Sequence, residues 1–167
     1  MYLLDTNIYI SFYERYYPKK YFPTFWEKFI PILQEEVVIP DIVVEENQHN
    51  EWFRKDFLKT YYHKEYLKHS DYAEQWQEVL QYIASCGFYS NKALIGERSW
   101  TQDTIADGWL IAIAKAEQLT IVTNELPAVN LSKGRPSKNP KIPDVAREFD
   151  VPCINMLTFF ERVHLKV

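Results

Sequence analysis

The feature that most constrains the fold is a set of four short apolar runs separated by helix-length segments. The expected strands are Tyr2–Leu4, Val37–Ile39, Thr120–Thr123 and Val151–Asn155. Polar residues close the first run at Asp5, and Pro40 closes the second, as is usual for buried strands. Short buried strands that alternate with helices are typical of a parallel sheet with helices on both faces. The sequence therefore predicts an α/β fold with a parallel sheet of four to five strands.

The segments between these strands carry apolar residues at helical spacing. The expected helices are Ile8–Tyr17, Phe22–Gln34, one that begins at Asp41, Ser90–Arg98, one from Thr101 or Asp103 to Glu117, Pro143–Phe149 and Leu157–Leu165. Asn47–Cys86 is expected to be helical with a break near Ser70, which gives a helix-rich insertion in the middle of the chain. Because 167 residues is the size of one domain, we interpret 1–167 as a single domain.

Charge and composition exclude several classes of protein. The net charge of -4 at pH 7 disfavours binding to nucleic acid through overall positive charge, although a local basic patch stays compatible with it. No apolar run approaches the roughly 20 residues that span a bilayer, and the amino terminus does not resemble a secretion signal. Cys86 and Cys153 form no CxxC pair, so neither a disulfide framework nor a zinc site is expected. We therefore expect a reduced, cytoplasmic protein.

Acidic residues follow three of the expected strands. Asp5 comes directly after the first strand, Glu45 and Glu46 lie in the helix after the second, and Glu125 lies just past the third. Asp107 stands near the start of the helix that leads into the third strand. Ligands of parallel α/β sheets bind outside the carboxyl ends of the strands. We therefore expect these acids to meet at that edge.

Carboxylates gathered in this way need a compensating charge. At an effective dielectric of roughly 20, two carboxylates at about 5 Å repel each other by about 3 kcal/mol. A divalent cation removes this cost, and a set of oxygen ligands without His or Cys favours Mg²⁺ or Mn²⁺ over Zn²⁺. Such ions commonly activate water against a phosphodiester. A phosphatase with an aspartyl nucleophile is disfavoured, because the second acid that it usually needs two residues later is here Asn7.

The motifs around these acids resemble those of a known family. The four acidic motifs of PIN-domain ribonucleases are matched, in order, by Leu4-Asp5-Thr6-Asn7, the helix that carries Glu46, Ala106–Ala112 with Asp107, and Ile121–Glu125. The resemblance covers nearly the whole chain. The chain most resembles a PIN-like subgroup whose members, like the VapC type, are often toxins of toxin–antitoxin pairs.

The resemblance implies a three-layer α/β/α fold and a metal-dependent endoribonuclease. One or two Mg²⁺ or Mn²⁺ ions would be held by Asp5, Glu46, Asp107 and Glu125. The acids or the attacking water would be oriented through hydrogen bonds by Thr6, Asn7 and Thr123. Hydrolysis of RNA would leave a 5′-phosphate and a 3′-hydroxyl. The resemblance further implies a small DNA-binding antitoxin encoded next to this gene, and a homodimer.

Two departures from the family pattern leave alternatives open. Many PIN proteins carry Asp near the end of the third strand, where this chain has Asn124 and then Glu125. The apolar residue that usually follows the helix-borne Glu is here Asn47, so both Glu45 and Glu46 stay candidates. Glu46 is favoured because it lies on the face that should pack inward. The alternative function is a catalytically inactive PIN-like scaffold that binds a partner protein or RNA.

A basic loop follows the third strand. Its cationic residues are Lys133, Arg135, Lys138 and Lys141. One interpretation is that they guide RNA phosphates toward the acidic edge. The other is that they belong to a solvated, flexible loop without a binding role.

Overall fold

The computed structural model describes residues 1–167 and has an α/β architecture with an open parallel sheet. The three strands, in the order β1-β2-β3, are Tyr2–Leu4 (β1), Thr120–Val122 (β2) and Cys153–Ile154 (β3). In the register, Tyr2 pairs with Thr120 and Leu4 with Val122, so neighbouring strands end at the same edge. The predicted parallel sheet flanked by helices is confirmed.

The second expected strand, Val37–Ile39, does not form, and the prediction of four to five strands is wrong. Tyr2 makes one isolated parallel bridge to the first residue of this run. The backbone of Ile39 then leaves the sheet, since its N–H donates to the hydroxyl of Tyr62 and its carbonyl accepts the N–H of Leu67, each at 3.1 Å. The ladder beside β1 stops here because its next bonds would need an N–H at position 40, which is Pro40 and has none.

Eight α-helices surround the sheet. They are Thr6–Ile10 (α1), Pro23–Glu35 (α2), Asp41–Glu46 (α3), Lys59–Tyr61 (α4), Ala73–Ser85 (α5), Ala106–Glu117 (α6), Ile142–Glu148 (α7) and Met156–Arg162 (α8). The remaining helical residues form two π-helical segments, Ser11–Tyr16 and Trp52–Leu58, and two 3₁₀ helices, His69–Tyr72 and Asn91–Leu94. None of the helices has both the length and the apolar character needed to cross a lipid bilayer.

Three helical segments differ most from the sequence prediction. The expected helix Ser90–Arg98 is reduced to the 3₁₀ helix Asn91–Leu94, since residues 95–98 form bends and turns. Helix α6 begins at Ala106 and not at Thr101 or Asp103, because residues 95–104 fold as turns and bends. The middle stretch loses its helix from residue 62 onward, before Ser70, because an isolated bridge pairs Leu67 with the backbone near α3.

Helix α6 leads directly into β2, and this connection positions its first turn. Gln118 follows the helix with a φ of 55°, the left-handed conformation that commonly ends helices. Strand β2 begins two residues later, at Thr120. Because the chain reverses here, α6 runs antiparallel to β2. Its first turn therefore lies at the edge where β1 and β2 end.

One hydrophobic cluster runs through the sheet and the helices. Aromatic rings join the segment after α1 to α2 and α8. Tyr17 stacks on Phe25 with ring centroids 4.1 Å apart, and Phe12 lies 5.1 Å from Phe25 and 5.7 Å from Phe160. Buried rings in such pairs stabilise a core beyond the area that they bury. The aromatic core thus holds the start of the chain, and with it Asp5, in a fixed place.

Candidate active site at the carboxyl edge of the sheet

Asp5 lies at the centre of the carboxyl edge. It is 3% exposed, and its N–H continues the sheet by donating to the carbonyl of Val122 (2.9 Å). Its Oδ2 accepts the hydroxyl of Thr123 (3.0 Å), and its Oδ1 accepts the N–H of Asn7 (3.3 Å). The structure therefore places Thr123 and Asn7 where they fix the orientation of Asp5, Asn7 through its backbone.

Glu46 reaches the same place from the end of α3. Its Oε2 accepts the hydroxyl of Thr6, and its Oε1 accepts the N–H of Ala106, the first residue of α6, at 3.0 Å. Glu45 is exposed to solvent instead. Of the two candidate glutamates, it is therefore Glu46 that the fold brings to the acids.

The buried Asn47 explains one departure from the expected pattern. It is 0% exposed, and its Oδ1 accepts the hydroxyl of Tyr13 (2.7 Å). Its Nδ2 donates to the carbonyl of Val43 (2.7 Å). A buried amide is tolerated when its polar atoms are hydrogen-bonded. Asn47 therefore fills an apolar position without changing the register of Glu46.

Asp107 occupies the first turn of α6 and is held close to the other acids. Burial raises its pKa to about 7, and the charges of Asp5, Glu125 and Glu46 act in the same direction, while the side chain of Trp100 acts against them. Burial likewise raises the pKa of Asp5 to about 6, with contributions from Glu46 and Glu125 opposed by the hydrogen bonds to Asp5. Asp5, Asp107 and Glu125 line one cavity, and Glu46 binds the N–H of the residue before Asp107, so the fold brings the four acids to one region.

Glu125 is bound on both of its oxygens. Its Oε1 lies 3.2 Å from the Nζ of Lys141, and its Oε2 accepts the N–H of Ile142, the first residue of α7, at 2.6 Å. Asn124 points elsewhere, since its Oδ1 accepts the N–H of Met156 at the start of α8 (3.0 Å). At this variant position, the acid in the cluster is therefore Glu125.

Two cavities meet at Asp107 and Glu125. The larger is a cleft of ≈ 750 Å³ whose walls include four cationic residues, Lys92, Arg98, Lys138 and Lys141. The smaller, of ≈ 290 Å³, is lined among others by Asp5, Asn7, Arg15 and Tyr16. Asp107 and Glu125 thus line both cavities, and the cations of the larger one suit a ligand with repeated negative charges.

Residues 2–167 match the family model described as "Domain of unknown function (DUF4411)". The chain belongs to the DUF4411 family. The match includes all four acids and all the residues that line the cleft of this DUF4411 member. No curated protein and no solved structure matches the chain.

Of the four cationic residues that the sequence places in the basic loop of this DUF4411 member, only two line the cleft. Lys138 and Lys141 line it, whereas Lys133 lies with its Nζ 5.5 Å from the ring of Phe88, and neither Lys133 nor Arg135 lines the cleft. Two further cations of the cleft, Lys92 and Arg98, were missed in the sequence. Their only signal was their nearness in sequence to the acid of α6.

The donors at this edge of the DUF4411 domain fit a hard divalent cation. All are carboxylate oxygens. Burial raises the pKa values of Asp5 and Asp107, the neighbouring acids add to the rise, and a cation would offset both effects. No three His, Cys, Asp or Glu side chains are arranged as a preformed metal site. Asp5, Glu46 and Glu125 accept hydrogen bonds on both carboxylate oxygens, so a bound cation would share these carboxylates with the present donors.

Proposed function

We propose that this DUF4411 member is a metal-dependent endoribonuclease of the PIN type. The observation that supports this most strongly is the convergence of Asp5, Glu46, Asp107 and Glu125 at the carboxyl edge of a parallel sheet. These acids come from four separate segments, in the order and structural context of the PIN motifs. A cleft with basic walls beside them adds a suitable path for an RNA backbone.

At such a site, some residues would hold the metal ion and others would orient the acids. Mg²⁺ or Mn²⁺ would be held by Asp5, Glu46 and Asp107, with Glu125 as the fourth acid beside them. The ion would supply an activated water and shield the charge that develops on the phosphodiester. Thr123 and the backbone of Asn7 hold the carboxylate of Asp5, and Thr6 holds that of Glu46. The products would be a 5′-phosphate and a 3′-hydroxyl.

The direct test adds Mn²⁺ to metal-free protein and follows cleavage of labelled RNA. We expect wild type to cleave and Asp107→Asn to lose at least about 100-fold in rate, because a charged metal ligand is removed. Asp103→Asn is the matched control, since Asp103 is exposed, precedes Asp107 by four residues and lines neither cavity. Equal cleavage by all three proteins would assign the activity to a contaminant and remove the proposal.

A second pair of variants tests the acid contributed by α3. Glu46→Gln should lower cleavage by about tenfold or more, because its carboxylate stands in the cluster and binds Thr6 and Ala106. Glu45→Gln carries the same chemical change on an exposed neighbour and should leave the rate unchanged. The opposite order of effects would contradict the assignment of Glu46.

A PIN-like scaffold without catalytic activity is the second candidate. It is favoured by the hydrogen bonds that already bind both oxygens of Glu125 and of Glu46. Calorimetry separates the two proposals. RNA binding without any heat or thermal shift from millimolar Mn²⁺ would support the scaffold, whereas Mn²⁺ binding that depends on Asp107 would support the nuclease.

The proposal extends to a toxin that acts on cytoplasmic RNA. Its partner would be a small DNA-binding antitoxin, encoded nearby, that covers the acidic edge or inserts a basic side chain into it. The protein would also form a homodimer, which sedimentation would detect. Inducing the gene should arrest growth, and co-expression of the neighbouring gene should relieve the arrest. Normal growth after induction of the wild-type protein would count against the toxin role.

A further inference from the structure

Lys141 is the one cation that forms an ion pair with the acid cluster. Its Nζ lies 3.2 Å from Oε1 of Glu125, whereas Asp5, Glu46 and Asp107 take part in no ion pair. A lysine ammonium has three donor protons, so one bond to Glu125 leaves others free for a ligand. The side chain of Lys141 is 39% exposed, which leaves the ammonium accessible from the cleft.

The backbone around Lys141 is fixed from both directions. The next N–H, of Ile142, donates to the second oxygen of Glu125 at 2.6 Å. The carbonyl of Lys141 accepts hydrogen bonds from the N–H groups of Asp144 and Val145, near the start of α7, at 3.1 Å each. Prolines stand immediately before Lys141 and two residues after it, and each restricts the backbone. The backbone at Lys141 is therefore held in place before any ligand binds.

The position of Lys141 within the cleft indicates what it can bind. It lines the same cleft as Asp107, and Lys92 and Arg98 line that cleft as well. A cation oriented by a carboxylate beside further cations suits a phosphodiester, whose oxygens accept charge-assisted hydrogen bonds. A carboxylate that is used to orient a lysine is correspondingly less available to a metal ion.

We propose that Lys141, oriented by Glu125, binds the phosphate of the RNA that lies next to Asp107, and that Glu125 is a positioning residue and not a metal ligand. This rests on the proposed ribonuclease function. It assigns the acids two roles: Asp5, Glu46 and Asp107 hold the ion, and Glu125 serves the substrate through Lys141.

The first test measures RNA binding without catalysis. Metal-free protein in EDTA is titrated with a short fluorescein-labelled single-stranded RNA at several salt concentrations, and anisotropy gives the affinity. Lys141→Gln should weaken binding by about tenfold and lower the slope of log K against log salt by about 0.7, as expected for one lost phosphate contact. Lys141→Arg should retain most of the affinity.

The matched control is Lys133→Gln, which removes the same charge from the same loop outside the cleft. It should change the affinity by less than about threefold and leave the salt slope unaltered. If Lys141→Gln behaves like this control, or if wild-type protein binds no RNA, the inference is overturned. Thermal melting of each variant checks that it folds.

The second test measures Mn²⁺ binding by calorimetry. Glu125→Gln should keep an affinity within about tenfold of wild type, since only a neighbouring charge is lost, whereas Asp107→Asn should lose about 100-fold or more. Equal losses in both variants would make Glu125 a ligand and overturn the inference while leaving the nuclease intact. Wild type that neither binds Mn²⁺ nor cleaves RNA would remove the proposed function itself, whatever the RNA titration gives for Lys141.

Discussion

Replacing Asp107 by Asn should stabilise the metal-free protein at alkaline pH. Burial and the neighbouring acids raise the pKa of Asp107 from 3.8 to about 7. Between these values the folded protein keeps a proton that the unfolded chain has lost. The contribution of Asp107 to the free energy of unfolding is therefore full below about pH 4, falls as the pH rises to about 7, and is constant above that.

The size of the effect follows from the pKa values. Each pKa unit corresponds to about 1.4 kcal/mol, so a rise from 3.8 to about 7 would cost about 4 kcal/mol at pH 8. Asp107 is partly exposed, and screening by water reduces this to about 2 kcal/mol. Asn has the same shape without the charge. We therefore expect Asp107→Asn to be about 2 kcal/mol more stable than wild type at pH 8. At pH 5 the difference in the free energy of unfolding should be less than about 1 kcal/mol.

Urea unfolding in EDTA, followed by tryptophan fluorescence at several pH values, measures this difference. Trp109 of α6 stacks on Trp76 at 4.2 Å, so the signal reports on the helix that carries Asp107. Asp103→Asn is the control and should show the pH dependence of wild type. Adding Mn²⁺ should stabilise wild type and Asp103→Asn but not Asp107→Asn. A stability difference that does not change with pH, or a less stable Asp107→Asn at pH 8, would refute the reasoning.

Two further variants test contacts beside the acids. Thr123→Val removes the hydroxyl that donates to Asp5 and accepts the N–H of Glu125, so calorimetry should give a Mn²⁺ affinity about tenfold weaker; an unchanged affinity would show that this hydroxyl does not orient the ligand. Asn47→Leu leaves the buried hydroxyl of Tyr13 without its shortest hydrogen bond and should cost about 2 kcal/mol in urea unfolding. Adding Tyr13→Phe to it should restore most of that loss, and a double variant as unstable as Asn47→Leu would contradict the account.

The meeting of the acids could be predicted from the sequence because the topology of a parallel sheet requires it. Asp5 directly follows a buried strand, and Glu125 lies just past another, so parallel pairing brings them to one edge. Asp107 joins them because α6 leads straight into β2. These placements depend on chain direction and connection length, which the sequence pattern contains.

Other features depend on tertiary contacts that no local pattern contains. Val37–Ile39 has the composition of a strand, yet its backbone is paired partly outside the sheet by Tyr62 and Leu67. Lys92 and Arg98 line the same cleft as Lys141, and they lie in a short 3₁₀ helix and in the turn after it. Periodicity predicts which faces are buried but not which distant segment covers them.

The lengths of the acidic side chains account for how the cluster is held together. Glu46 and Glu125 extend across to neighbouring elements, where each accepts the first amide of a helix, from Ala106 of α6 and Ile142 of α7. Helix N-termini present unpaired amides that favour a carboxylate. The shorter Asp5 caps the helix that follows it, α1, through the N–H of Asn7. Burial raises the pKa values of Asp5 and Asp107, and the neighbouring acids raise them further. The two glutamates thus fasten the helices to the edge of the sheet, while the two aspartates keep the repulsion that a divalent ion would relieve.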